Sequence, residues 1–349
     1  MMRRANRWVA ALAVLFGVAA GGEPQVQPGA LLAPVGPLGH WKAEDGPAPK
    51  SAVDATGNGY NGAYSAAGAT PIPDVPTTKF PNTGSIQLDG AAGVVTIPDS
   101  PALRITGDFT ISLWKKKTAN IKDWSRIVGK GNGGQRNFGV WEAPEGDGKI
   151  LFQMYSQAGG ACIDLWSPAP LPANAWSHIL CTVSINSVSM WINGQLVATG
   201  MKNGEPGTSA DPLTFGFAGY HAYWAGQIDD VRIYNRALST NEVLYLAQGN
   251  GGPAAPTALA PAGVDGKQVT LKWAATATPS PAGTAPVYIV KRSTTAGSGY
   301  VPVATALAGT SFTDARPDAG ATYHYVVTAV NVGGESGPSN ELAVTPQSK

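Results

Sequence analysis

The feature that most constrains this chain is a recurring short run that alternates apolar and polar residues and ends in a turn. Phe109-Thr110-Ile111-Ser112-Leu113-Trp114 is one such run. A period of two places one set of side chains on a buried face and the other outward, which only a strand can do. Trp191-Ile192-Asn193-Gly194-Gln195-Leu196-Val197 supplies the sharpest turn. Asn and Gly both accept positive φ, as the two central residues of a type I′ hairpin must. The 44 Gly and 28 Pro suit many short strands joined by tight turns. Long stretches of helical period are missing. One short helix is predicted after Ser239-Thr240-Asn241-Glu242, a capping box, with Val243, Leu244 and Leu246 as its apolar face and Gly249 as its stop.

Length and charge narrow the function. The chain has 349 residues, room for two ordinary domains. Its 24 basic groups nearly balance 23 acidic ones, so no basic excess exists to neutralise phosphates and no nucleic-acid partner is expected. Arg3, Arg4 and Arg7 precede a 13-residue uncharged run, Trp8 to Ala20, and small residues Gly21 and Gly22 follow. This order reads as a signal peptide over 1–22. The alternative, an uncleaved anchor, needs about 18–20 apolar residues. No Cys follows the run to carry a lipid. The protein is therefore expected outside the cytoplasm, secreted or at the cell surface, and not membrane-spanning after cleavage.

Export bears on the two cysteines. Cys162 and Cys181 each sit in a strand-like run, with the turn-forming stretch Ser167-Pro168-Ala169-Pro170-Leu171-Pro172 between them. An antiparallel pair folded about that turn would bring them together as a disulfide, adding about 3 kcal/mol by restricting the unfolded chain. The alternative is two buried free thiols.

Punctuation divides the chain. Residues 23–37 form a Pro/Gly-rich lead-in, 38–248 a strand block with its helix, 249–255 a Gly/Pro linker, and 256–346 a second strand block. In the first block His40-Trp41, Asp54-Ala55-Thr56-Gly57-Asn58-Gly59, Ser85 to Gly90, Gly107 to Trp114, Ile127 to Lys130, Trp176 to Ile179, the Trp191 hairpin and Gly226 to Ser239 follow one another. In that order they resemble a laminin-G-like domain of the concanavalin A-like lectin/glucanase jelly-roll type. The second block resembles a fibronectin type III domain. The matching pieces are Val269 to Trp273, Tyr288 to Ser293 and Gly320 to Asn331, with Tyr323 at the corner-tyrosine position. No Arg-Gly-Asp tripeptide occurs. The expected fold is thus all-β, an antiparallel jelly-roll sandwich plus a C-terminal immunoglobulin-like (fibronectin type III) sandwich.

Because some jelly-roll relatives are glucanases, catalysis must be tested. Retaining glycosidases need two carboxylates about 5 Å apart. Glu142-Ala143-Pro144-Glu145-Gly146-Asp147 has the wrong order and reads as a loop, and Asp229-Asp230 would face opposite sides of a regular strand. His40, His178, His221 and His324 lie in no motif with a nucleophile or metal partner. No catalytic residue is assigned.

Asp54 through Asn58 offers a carboxylate, an amide and Gly carbonyls, the oxygens that calcium takes, though the same turn is also one in which Asp and Asn bond their own backbone. The resemblance implies that this turn meets the strand of Asp229. The calcium candidates are Asp54, Asn58 and Asp229, with Glu44 as an added donor and a structural role for the ion. The resemblance puts Trp41, Trp114, Trp176, Trp191 and Trp224 in the core. Trp124, in a polar loop, and Tyr220, His221 and Tyr223, in an aromatic loop, are then the candidate ligand contacts, with Trp141 and Trp166 undecided. The expectation is a non-catalytic protein binding an extracellular glycan, the second sandwich serving as spacer or docking module. A surface protein as partner is the second reading and polysaccharide hydrolysis the third.

Overall fold

The computed structural model describes residues 35–44, 51–119, 123–132, 136–144, 147–265, 268–276, 281, 284–315 and 317–347. The expected signal peptide and most of the expected lead-in lie outside them. Among the described residues, two eight-stranded antiparallel sheets build the first sandwich. One sheet runs from Gln195–Met201 through Ser187–Ile192, Ser177–Val183, Phe109–Lys117, Ala225–Tyr234 and Ser85–Asp89 to Ala69–Ile72, with Gly39–Trp41 also paired to Ala225–Tyr234. The other runs from Ala161–Trp166 through Ile150–Tyr155, Phe138–Glu142, Ser125–Lys130, Leu213–Phe215, Val95–Ile97 and Gly62–Tyr64 to Ser51–Ala52.

Alternation explains the core. Phe109, Ile111 and Leu113 of the first sheet and Phe138, Val140 and Phe152 of the second are all buried in one cluster. The Phe109 ring lies 5.1 Å from Phe138 and 6.0 Å from Phe152, joining the sheets. Each such ring stabilises the fold by about 1.5–3 kcal/mol. The expected hairpin forms: Asn193 and Gly194 have φ of 50° and 79°. Asn193 also reaches the neighbouring strand, where its Oδ1 accepts the His178 amide at 2.8 Å. The Asp229-Asp230 pair differs from a regular strand. Pairing shifts register between Asp229 and Arg232, and Asp230 takes φ of 52°.

The helix Thr240–Ala247 carries the expected capping box, with the Ser239 amide donating to Glu242 at 2.9 Å. Its Val243 and Leu246 pack with Leu180 and Tyr234 of the first sandwich and Val332 of the second. The second sandwich is built of a three-stranded and a five-stranded sheet. Trp273 and Tyr288 meet inside it at 5.5 Å, and Tyr323 accepts the Asp318 amide at 3.1 Å. The Gly/Pro segment between the sandwiches is pinned. Asn250 donates to the Tyr245 carbonyl at 2.7 Å, and Asn331 donates to the Tyr245 hydroxyl at 3.0 Å. Among the described residues no helix is long and apolar enough to cross a membrane.

The structure corrects the disulfide expectation. Cys162 and Cys181 are both free and buried. The stretch 167–172 joins strands of two different sheets, not a hairpin pair, since Ala161–Trp166 pairs with Ile150–Tyr155 and Ser177–Val183 with Phe109–Lys117. Both cysteines serve as small core hydrophobes, and burial pushes the Cys181 thiol far up. Alkylation of the unreduced protein after denaturation should label two thiols per chain, and the native protein should resist labelling at Cys181. A count of zero would restore the bridge.

Candidate functional site

The outer face of the second sheet carries the site. In Ile150–Tyr155, the side chains of Ile150, Phe152 and Met154 enter the core, so Leu151, Gln153 and Tyr155 point outward. Pairing then sets cross-strand rows. Arg126, Trp141, Leu151 and Trp166 share one row, and Gly139, Gln153 and Asp164 the next. Gly139 leaves room for the Trp141 ring, because a Cβ there would sit 2.4 Å from the indole nitrogen.

Two loops wall this face. The Ala222 amide donates to the Trp124 carbonyl at 3.1 Å, and Ser125 and Ala222 form a parallel bridge. His221 lies 3.1 Å from the Asp123 carboxylate and holds φ of 62°, a left-handed conformation that costs a non-glycine residue about 1 kcal/mol or more. The base of the loop is closed by the Trp224 amide on the Gly216 carbonyl at 2.8 Å and by Phe217 stacked on Tyr223 at 3.9 Å.

A cavity of about 280 Å³ results, lined by Trp124, Arg136, Trp141, Leu151, Gln153, Tyr155, Asp164, Trp166 and His221. Trp124 and Trp166 meet edge to face at 5.5 Å, and Trp166 keeps 38% of its surface exposed. The Arg136 guanidinium lies 4.1 Å from the Tyr155 ring and 5.3 Å from Trp141. It donates from Nη1 to Gln153 Oε1 and from Nη2 to the Tyr155 hydroxyl, both at 2.7 Å. Gln153 Nε2 in turn donates to Asp164 Oδ1 at 2.6 Å. The amide has one orientation here, since its oxygen faces a pure donor and its nitrogen a pure acceptor. The Trp141 indole nitrogen and the Tyr220 hydroxyl are buried with no hydrogen-bond partner among the described residues. Burial raises the Tyr220 phenol, which keeps its proton for donation.

Of the expected ligand contacts, Trp124 and His221 line the cavity. Tyr220 packs behind it, 6.0 Å from Trp141. Tyr223 holds the loop base instead. Trp141 and Trp166, undecided in sequence, both line it. Arg136, Gln153, Tyr155 and Asp164 were missed. The signal was the alternation in 150–155 and 161–166, but only the register between the two strands makes it a site.

Residues 89–244 match a family described as the concanavalin A-like lectin/glucanases superfamily. The binding domain of Paraclostridial Mosquitocidal Protein 1 is similar at 14% identity and TM-score 0.50, over 89% of this chain and 83% of that one. Domain 4 of a GH43 extracellular arabinanase from Geobacillus stearothermophilus, solved with arabinotriose, is similar at 21% identity and TM-score 0.48, over 61% and 98%. An Fn3-like protein from Clostridium thermocellum shares 35% identity at TM-score 0.24, over 28% and 97%. No curated protein sequence matches the chain.

Away from the cavity, the structure brings together groups that sequence kept apart. Ser112 Oγ lies 2.8 Å from His178 Nε2, both fully buried. The pair is no catalytic dyad. Burial, aided by Arg232, lowers His178 to about 3, and the nearby Asp230 carboxylate is engaged by His40 at 2.6 Å and Arg232 at 2.7 Å. Burial would raise Asp230, but Arg232 and His40 outweigh it and hold the group at about 2.

The calcium candidates serve other partners. Both Asp54 oxygens accept the Thr56 hydroxyl at 2.8 Å, and the His40, Thr56 and Tyr60 amides donate to the same carboxylate. Asn58 donates its side-chain amide to the Leu38 carbonyl at 2.9 Å. Asp229 accepts from Asn82 at 2.8 Å. Among the described residues, no three or more acidic, His or Cys side chains are grouped to hold a metal ion.

Burial first, then the neighbouring Asp230, pushes Asp229 up to about 8, and the Glu44 charge adds to this. Between about pH 4 and pH 8 the folded protein holds a proton here that the unfolded chain has lost. The stability this proton brings is complete below about pH 4 and disappears as pH rises through about 8. Asp229→Asn should therefore raise the melting temperature at pH 8 by several degrees and leave it unchanged at pH 4. An equal effect at both values would show that Asp229 is not protonated in the fold.

Proposed function

We propose that the chain is an exported, non-catalytic carbohydrate-binding protein whose sugar site is the aromatic cavity on the outer face of the second sheet. One observation carries the reading: indole and phenol rings surround a single cavity crossed by an Arg136–Gln153–Asp164 hydrogen-bond chain. Sugars present C–H faces that stack on aromatic planes and hydroxyls that need fixed polar partners. Trp124, Trp166 and Tyr155 supply the planes. Tyr155 and Asp164 supply the partners.

Other features support the same reading. The family matched by residues 89–244 includes lectins by its description. Among the described lining residues Asp164 is the one carboxylate, whereas glycoside hydrolysis of the common kinds uses two. The positive start and apolar run of residues 3–20 support export. We read the C-terminal sandwich as a fibronectin type III module that holds the jelly roll from the side opposite the cavity.

A glycan array with the full chain tests the proposal. Trp166→Ala and Trp124→Ala should each weaken the bound glycan about tenfold or more, ~1.4 kcal/mol, with the melting temperature held. Tyr223→Phe, at the loop base, should bind within about twofold of the parent. Capture of a surface protein with no glycan signal would overturn the reading in favour of adhesion.

A further inference from the structure

We infer that the sugar unit in this cavity is neutral, with adjacent hydroxyls donating to Asp164, and that acidic sugars are rejected; the inference rests on the carbohydrate reading above. A site for a carboxylate-bearing sugar needs an uncommitted cation, most often an Arg offering two parallel N–H groups. The cavity has one guanidinium on its lining, Arg136, and each of its terminal nitrogens already gives one N–H, to Gln153 and to Tyr155, so neither is left wholly to a ligand. Its face is spent as well, held against the Tyr155 and Trp141 rings.

The charge of Arg136 is also balanced within the site. Gln153 relays it to Asp164 at 2.6 Å, and His221 is paired with Asp123 at 3.1 Å. Among the described lining residues, the charged group left open to the ligand is an acceptor at the rim. Asp164 is exposed, and one of its oxygens takes Gln153 while the other has no partner among the described residues. An ionised carboxylate only accepts. It therefore welcomes the O–H groups of a sugar and repels a uronate brought into the same space. A volume of about 280 Å³ lies at the small end for ligand pockets. One sugar unit fits, and its substituents come within a few ångströms of Asp164.

The test uses the full chain and matched fluorescent oligosaccharides: glucan, galactan and mannan fragments, each beside its C6-carboxylated counterpart. At least one neutral member should bind, and its uronate counterpart should bind at least tenfold more weakly. Asp164→Asn keeps an oxygen for Gln153 and removes the charge, so it should narrow that ratio to about threefold or less while weakening the neutral sugar. A uronate that binds as tightly as its neutral partner, or a ratio unchanged in Asp164→Asn, overturns the inference and leaves the carbohydrate reading standing. Binding to no oligosaccharide of either kind sinks the carbohydrate reading and the inference with it.

Discussion

The period of two in Ile150–Tyr155 is the constraint on which the site depends. Burying Ile150, Phe152 and Met154 between the sheets forces Leu151, Gln153 and Tyr155 onto the opposite face. A one-residue slip would bury Gln153 and expose Phe152, so the core that stabilises the sandwich also fixes the site. The same logic runs across strands. Gln153 reaches Asp164 because the two are register partners, and Trp141 and Trp166 flank Leu151 for the same reason. Hydrophobic burial thus sets the floor of the cavity, and the polar chain rests on it.

The first sheet uses its outer face differently. His40, Asp230, Arg232, His178 and Ser112 are all buried there beside the helix and the second sandwich. Arg232 and Asp230 pair at 2.7 Å, and His40 adds a second contact at 2.6 Å. Removing one partner of such a buried pair leaves an uncompensated charge, at a cost of about 3–5 kcal/mol. A similar arrangement closes one end of the core, where Glu142 lies 3.3 Å from both Lys115 and Lys117 and accepts the Trp224 indole at 2.8 Å. These groups are charged and clustered as an active site would be, yet their geometry is that of anchors. They are buried, and each is engaged by a neighbour.

Much of the fold was legible because local patterns suffice for it. The Asn193-Gly194 hairpin, the Ser239 capping box and the inward Trp273 each follow from a few adjacent residues. The failures share a cause as well. The Cys162–Cys181 pairing assumed that strands flanking a turn belong to one sheet, whereas here the chain crosses between sheets. The Asp54 turn was visible as a calcium candidate, but the hydroxyl and amides bonded to its carboxylate were not. Of the residues lining the cavity, Trp124 and His221 had been singled out by their loop setting. Gln153 and Asp164 escaped, because each is an ordinary outward strand residue until the register places them 2.6 Å apart.

The second sandwich also takes on a different meaning once its seam is seen. A Gly/Pro segment read alone suggests a swinging spacer. Here a Cβ at Gly333 would fall 2.1 Å from the Gly251 carbonyl oxygen, so two glycine backbones meet where no other residue fits. Tyr234 donates to the Val332 carbonyl at 2.6 Å, and Tyr245 donates to Gly251 at 3.0 Å. Side-chain and backbone bonds of this kind hold the second sandwich against the face of the first sheet, and that face is thereby filled. The aromatic rings gather on the outer face of the second sheet. The two sheet faces thus differ: one is used for anchorage, and the other carries the aromatic cavity.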